Sequence, residues 1–78
     1  MTEIPQPYTQ IQPLCVGCNK TPEHLEEYVD AAGEERMTPD SYVRLFEGTY
    51  NRFNGHFLCT ACYIERGMPS GPRGWVAP

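Results

Sequence analysis

Long apolar runs are missing from this 78-residue chain, and without the roughly 20 consecutive apolar residues that cross a bilayer, no segment reads as a membrane span. Positive charge is scarce: one lysine, Lys20, and five arginines face ten acids, for a formal net charge of -4. Non-specific nucleic-acid affinity comes from Lys and Arg neutralising phosphates, so the overall balance argues against it. The opening Met1-Thr2-Glu3-Ile4-Pro5 lacks the basic n-region and apolar h-region of a secretory signal. The expectation is a soluble protein of the cytoplasm. No Ser/His/Asp set, marked carboxylate pair or phosphate-cradling glycine loop occurs, so the chain is not read as an enzyme.

A chain of this length makes one small domain, whose core rarely supplies more than about 3–5 kcal/mol, and such domains carry a staple. Four cysteines supply one. They stand as Cys15-x2-Cys18 and Cys59-x2-Cys62, with forty residues between the pairs. Two intervening residues let a tight turn aim both sulfurs at one point, and two such pairs make the tetrahedral ligand set of a structural zinc site. Cys15, Cys18, Cys59 and Cys62 are therefore the expected ligands of one Zn²⁺ per chain. Iron in a sulfur cage and two redox-active dithiols are the alternatives. The iron site normally joins two knuckles, and redox dithiols sit in βαβ surroundings not seen here.

The chain divides into an extended Pro-rich arm (1–14), a metal-stabilised domain (15–68) and a Pro/Gly-rich tail with Trp75 (69–78). Gly17 and Asn19 permit the positive φ angles of a zinc knuckle. Thr21, Pro22 and Gly33 bracket a helix over 22–32, with Leu25, Tyr28, Val29 and Ala32 as its apolar stripe and Glu23, Glu26, Glu27 and Asp30 on a solvated face, the alternative being an acidic docking surface. Thr38-Pro39 starts a second helix that runs to Gly48, with Tyr42, Leu45 and Phe46 as its stripe and Met37 stapled against Tyr42. Asn54-Gly55 predicts a β-hairpin over 49–58. A helix beginning at Cys62 and stopped by Gly67, with Met68 packed back on Tyr63, completes the order. Its cysteines gain from the partial positive charge of the helix start. The fold class is a small α+β domain, treble-clef-like, with knuckle, two inserted helices, hairpin and C-terminal helix.

Asn51, Asn54 and His56 before a helix admit comparison with HNH nucleases, but a four-cysteine site leaves no coordination position for an activated water, and His56 has no second histidine to share a metal. His24 reads as a surface residue. Trp75 either folds over the core or anchors a partner.

The runs Cys15-Val16-Gly17-Cys18-Asn19-Lys20-Thr21-Pro22, Met37-Thr38-Pro39-Asp40, Gly48-Thr49-Tyr50-Asn51, Gly55-His56-Phe57-Leu58-Cys59-Thr60-Ala61-Cys62-Tyr63-Ile64 and Gly67 to Pro78 resemble those of short uncharacterised zinc-finger-like proteins encoded by tailed phages of actinobacteria. The resemblance implies an accessory phage protein in the bacterial cytoplasm with zinc at the four cysteines, and it carries no activity with it. The expected function is a non-catalytic zinc-binding interaction module for a host or phage protein. The alternative is a nucleic-acid-binding zinc finger acting through the hairpin-helix half. Residues 21–43 hold seven acids and one arginine, whereas residues 44–78 hold four arginines and two acids, which leaves that half mildly basic.

Overall fold

The computed structural model describes residues 11–78; most of the extended arm expected over 1–14 lies outside them. Pro13 is buried, and the chain after it enters β1 (Leu14–Cys15). The knuckle closes at once, with Asn19 N–H donating to Cys15 O at 2.7 Å and Cys15 N–H to Lys20 O at 2.9 Å. Asn19 takes the expected left-handed turn at φ 66°.

The partner of β1 is β2 (His56–Phe57), in parallel register with Leu14 opposite His56 and Cys15 opposite Phe57. This corrects the hairpin predicted for 49–58. The Asn54-Gly55 turn does form, with Gly55 at φ 79° and its N–H on Asn51 O at 2.7 Å. The strand leaving it, however, forms its ladder with the knuckle, and a backbone bond from Asn51 N–H to His56 O at 2.7 Å ties it to the segment that entered without making a second strand. Side chains explain why no facing strand is needed. Asn51 Oδ1 accepts from Phe53 N–H and Asn54 Oδ1 from His56 N–H, both at 2.9 Å, while Thr49 Oγ1 accepts from Leu58 N–H at 3.0 Å. Local polar side chains thus satisfy amides that a ladder would otherwise have to pair. Phe53, within the segment predicted as a hairpin, is left 84% exposed.

The first predicted helix is two pieces. Pro22–His24 is a single 3-10 turn, Leu25 is extended at φ -119°, and α1 runs Glu26–Glu34. Tyr28 and Ala32 face the core, but Val29 does not, because a helix that restarts at Glu26 rotates its buried stripe. Gly33 lies inside α1 and does not stop it. The stop is Arg36, left-handed at φ 59°, with its N–H on Gly33 O and Met37 N–H on Ala32 O. Those two bonds make a Schellman ending without the usual glycine. Relieving that residue's left-handed strain, Arg36→Gly is expected to raise stability by about 0.5–1 kcal/mol in urea unfolding of the metal-loaded protein. A lower midpoint would contradict this account of the cap.

The second helix, α2 (Pro39–Phe46), starts as expected, with Thr38 Oγ1 accepting from Ser41 N–H at 3.2 Å. It ends earlier than Gly48, and its buried residue is Val43, while Leu45 and Phe46 are 69% and 56% exposed. Of the predicted stripe, Tyr42 packs against the core cluster, and Leu45 and Phe46 do not. The last helix, α3 (Thr60–Glu65), begins one residue after Cys59 instead of at Cys62. It ends as predicted, with Gly67 at φ 83° and Met68 N–H on Tyr63 O at 3.0 Å.

Residues 11 and 12 and the C-terminal tail belong to the fold further than their composition suggested. Arg44 Nη2 donates to Ile11 O at 2.8 Å, and Gln12 Nε2 to Asp40 Oδ2 at 2.7 Å. In the tail, Ala77 is fully buried, its N–H on Thr49 O and its carbonyl accepting from Asn51 Nδ2, both at 2.8 Å. The core joins Tyr28, Val43, Phe57 and Leu58 to three of the cysteines. Among the described residues no helix is long and apolar enough to cross a membrane.

Candidate metal centre

Each cysteine is placed by a different local device. Cys15 ends β1, and Cys18 rides the knuckle turn that follows. Cys59 is the N-cap of α3, and Cys62 sits three residues on, the spacing that returns a helical side chain to the same face. The four sulfurs lie within 4.8 Å of one another. A tetrahedral ion with Zn–S bonds of about 2.3 Å would place them about 3.8 Å apart, so one ion fits with small adjustments. None of the four is in a disulfide. The structure thus brings together every residue the spacing singled out, in a cluster that can hold a metal ion.

Close approach of the two halves depends on Gly17. A β-carbon there would lie 2.5 Å from Cys62 Cβ and 2.6 Å from Cys62 Sγ. No positive φ is involved, so the residue is glycine for space and not for the turn angle expected of it. Cys15, Cys59 and Cys62 are buried, and Cys18 is exposed.

The electrostatics favour a cation. Burial raises the Cys15 thiol, but the amides of Cys59, Cys18 and Gly17 outweigh it and bring the group to about 7. The Cys59 amide lies 3.3 Å from its sulfur. Burial pushes Cys59 and Cys62 up, and Cys62 rises further beside Cys15 and Cys59. Thiolates so close repel one another, and a divalent cation among them reverses the sign of that cost.

Two carboxylates hold the frame. Glu27, read as part of a solvated face, accepts from Thr60 Oγ1 at 2.6 Å and from Thr60 N–H at 3.3 Å. It thereby ties α1 to the N-terminus of the helix that carries the second cysteine pair, where negative charge is stabilising. Glu47 accepts from Tyr28 Oη at 2.6 Å and from Thr49 N–H at 2.9 Å. Neither role has a motif; the only sequence signal was an acid within reach of a helix start or a turn.

Burial, and then the bond to Glu47, raise the Tyr28 phenol far above its ordinary value. The protonated phenol is the form the fold keeps, so Tyr28 contributes stability that is complete below the unfolded pKa. Above pH of about 10 the unfolded chain ionises and the folded one does not, which lowers stability by up to about 1.4 kcal/mol per pH unit. Tyr28→Phe is expected to remove that slope in unfolding measurements from pH 9 to 11. An unchanged slope would show that Tyr28 ionises normally.

The residues that suggested a nuclease are used elsewhere. Asn51 and Asn54 bind local amides, and His56 Nδ1 lies 2.8 Å from Pro78 O. His24 is exposed, 3.9 Å from Glu23. Trp75 is half-buried against the core with its ring 6.2 Å from that of Tyr63. The two rings, with Leu58, Thr60 and Pro69, line an open groove of about 390 Å³.

Comparison with protein-family models, with curated proteins and with solved structures gives no match to this chain. What the geometry defines is a class: a small α+β protein with a four-cysteine candidate metal centre.

Proposed function

We propose that this is a non-catalytic, zinc-stabilised interaction module, an accessory phage protein that works in the bacterial cytoplasm by binding a host or phage protein. The observation that carries the reading is the closed sulfur set: four thiols within 4.8 Å, three of them buried. Four cysteines fill a zinc ion's tetrahedron, so the ion organises the fold and activates no water. The order of knuckle, strand and helix-borne pair supports a treble-clef-like description, although β2 pairs with the knuckle and not within a hairpin.

Native mass spectrometry is expected to show one zinc per chain, lost in Cys59→Ser. A metal-free mass for the unsubstituted chain would remove the basis of the reading. Partner capture from infected-cell lysate on the zinc-loaded protein, with Cys59→Ser as control, tests the interaction role; recovery of no specific protein would count against it.

Nucleic-acid binding is favoured by one observation, the exposed Phe53 with the Arg52 guanidinium 5.6 Å from its ring centroid. Arginine beside an aromatic face is a stacking platform for unpaired bases. Absence of a mobility shift with single-stranded DNA or RNA at low salt would retire that second reading.

A further inference from the structure

The four cysteines are not equivalent toward solvent. Cys15, Cys59 and Cys62 are buried, Gly17 is pressed against Cys62, and the Cys15 sulfur accepts the Cys59 amide at 3.3 Å. A hydrogen bond from an amide lowers the nucleophilicity of a thiolate, and burial bars a reagent's approach. Cys18 is exposed on the turn of the knuckle. The knuckle that carries it is open to solvent on its far side, with Asn19 and Lys20 exposed as well.

Resting on the zinc reading above, we infer that Cys18 is the modification site of this centre, the thiolate at which a hydroperoxide reacts first. Its sulfur takes the distal oxygen of the peroxide. The S–O bond forms as the O–O bond breaks, and the departing alkoxide or hydroxide is protonated by the buffered solvent. The Cys15 thiolate then attacks the Cys18 sulfenic acid, forming an S–S bond and expelling hydroxide. Two thiolates lose two electrons, and hydrogen peroxide becomes two waters. Cys15 is the resolving partner because it shares the knuckle, so closure needs no movement between the two halves of the chain. Half of the ligand set is then gone, the ion leaves, and a thiol reductant with added zinc restores the centre.

The test treats the zinc-loaded full chain with limiting hydrogen peroxide, follows zinc with a chromogenic chelator and maps the cysteines by mass spectrometry. A Cys15–Cys18 disulfide is expected to accompany the first zinc released, with Cys59 and Cys62 still thiols. A first disulfide within Cys59–Cys62, or between the pairs, overturns the inference. Cys18→His keeps a tetrahedral three-sulfur, one-nitrogen donor set. It is expected to hold zinc and to release it to peroxide at least tenfold more slowly, and release at the unsubstituted rate also overturns it. If that variant does not fold, limiting iodoacetamide on the unsubstituted protein decides: Cys18 alkylated first supports the inference, and another cysteine first, or no preference, refutes it. A chain isolated without zinc defeats the metal reading, and the alkylation order in that metal-free chain still decides for or against Cys18.

Discussion

Stripped of its metal by a strong chelator, the domain is expected to lose its helical circular dichroism and to regain it when zinc is returned. Structural zinc contributes an apparent free energy of about 10–16 kcal/mol in small peptides, whereas a core of this size supplies only about 3–5. The cysteines here are part of that core, since Cys15, Cys59 and Cys62 sit in the same buried cluster as Phe57 and Leu58. Removing the ion leaves mutually repelling thiolates, or thiols with no ion to hold the two halves together, at its centre. Acid should act in the same direction. Metal ligands are deprotonated, so protons compete for the sulfurs and zinc affinity falls as pH falls. Burial favours the protonated forms of Cys59 and Cys62, whereas the amides around Cys15 favour its thiolate. Unchanged circular dichroism after complete metal removal would mean that the apolar core alone carries the fold.

The second large effect is expected from one added methyl group. In Gly17→Ala the new β-carbon would overlap Cys62 Cβ at 2.5 Å and Cys62 Sγ at 2.6 Å. Neither neighbour can retreat: Cys62 is fixed within α3, and Leu58 Cδ2 stands 3.3 Å away on another side. Overpacking in a close-packed interior costs about 1–3 kcal/mol, and here the cost falls on the metal ligands themselves. Zinc affinity measured against a competing chelator is expected to fall at least tenfold, with a matching drop in thermal midpoint. Retained affinity would mean that the knuckle and α3 can separate without disturbing the sulfurs.

Features governed by nearest neighbours were legible in the sequence. The CxxC pairs, the Thr38-Pro39 helix start and the Gly67 stop each depend on a few consecutive residues, and all appear in the structure. Features settled by what packs from a distance were not. The hairpin signal at Asn54-Gly55 reported a real turn, but whether its outgoing strand pairs backward or with β1 is decided 40 residues away. The break at Leu25 shifted the phase of α1, so the predicted stripe placed Val29 inside. In α2 the apolar residues outnumber the places available against α1, and Val43 takes the core while Leu45 and Phe46 stay out. Glu27 and Glu47 looked like surface acids because a carboxylate that caps a distant helix has no local pattern. For the site itself, which residues cluster was readable from spacing, but the reason for Gly17 was not, since it lies in a neighbour that follows 45 positions later.

The pairing of β1 with β2 makes the centre a clasp on a loop. The knuckle can bind an ion with two sulfurs on its own, but the other two arrive only when the forty residues between the pairs are gathered in, a closure that costs about 3 kcal/mol of chain entropy. With one zinc ion filling the four sulfurs, as proposed, folding is expected to be second order in character, its half-time set by free zinc as well as by the chain.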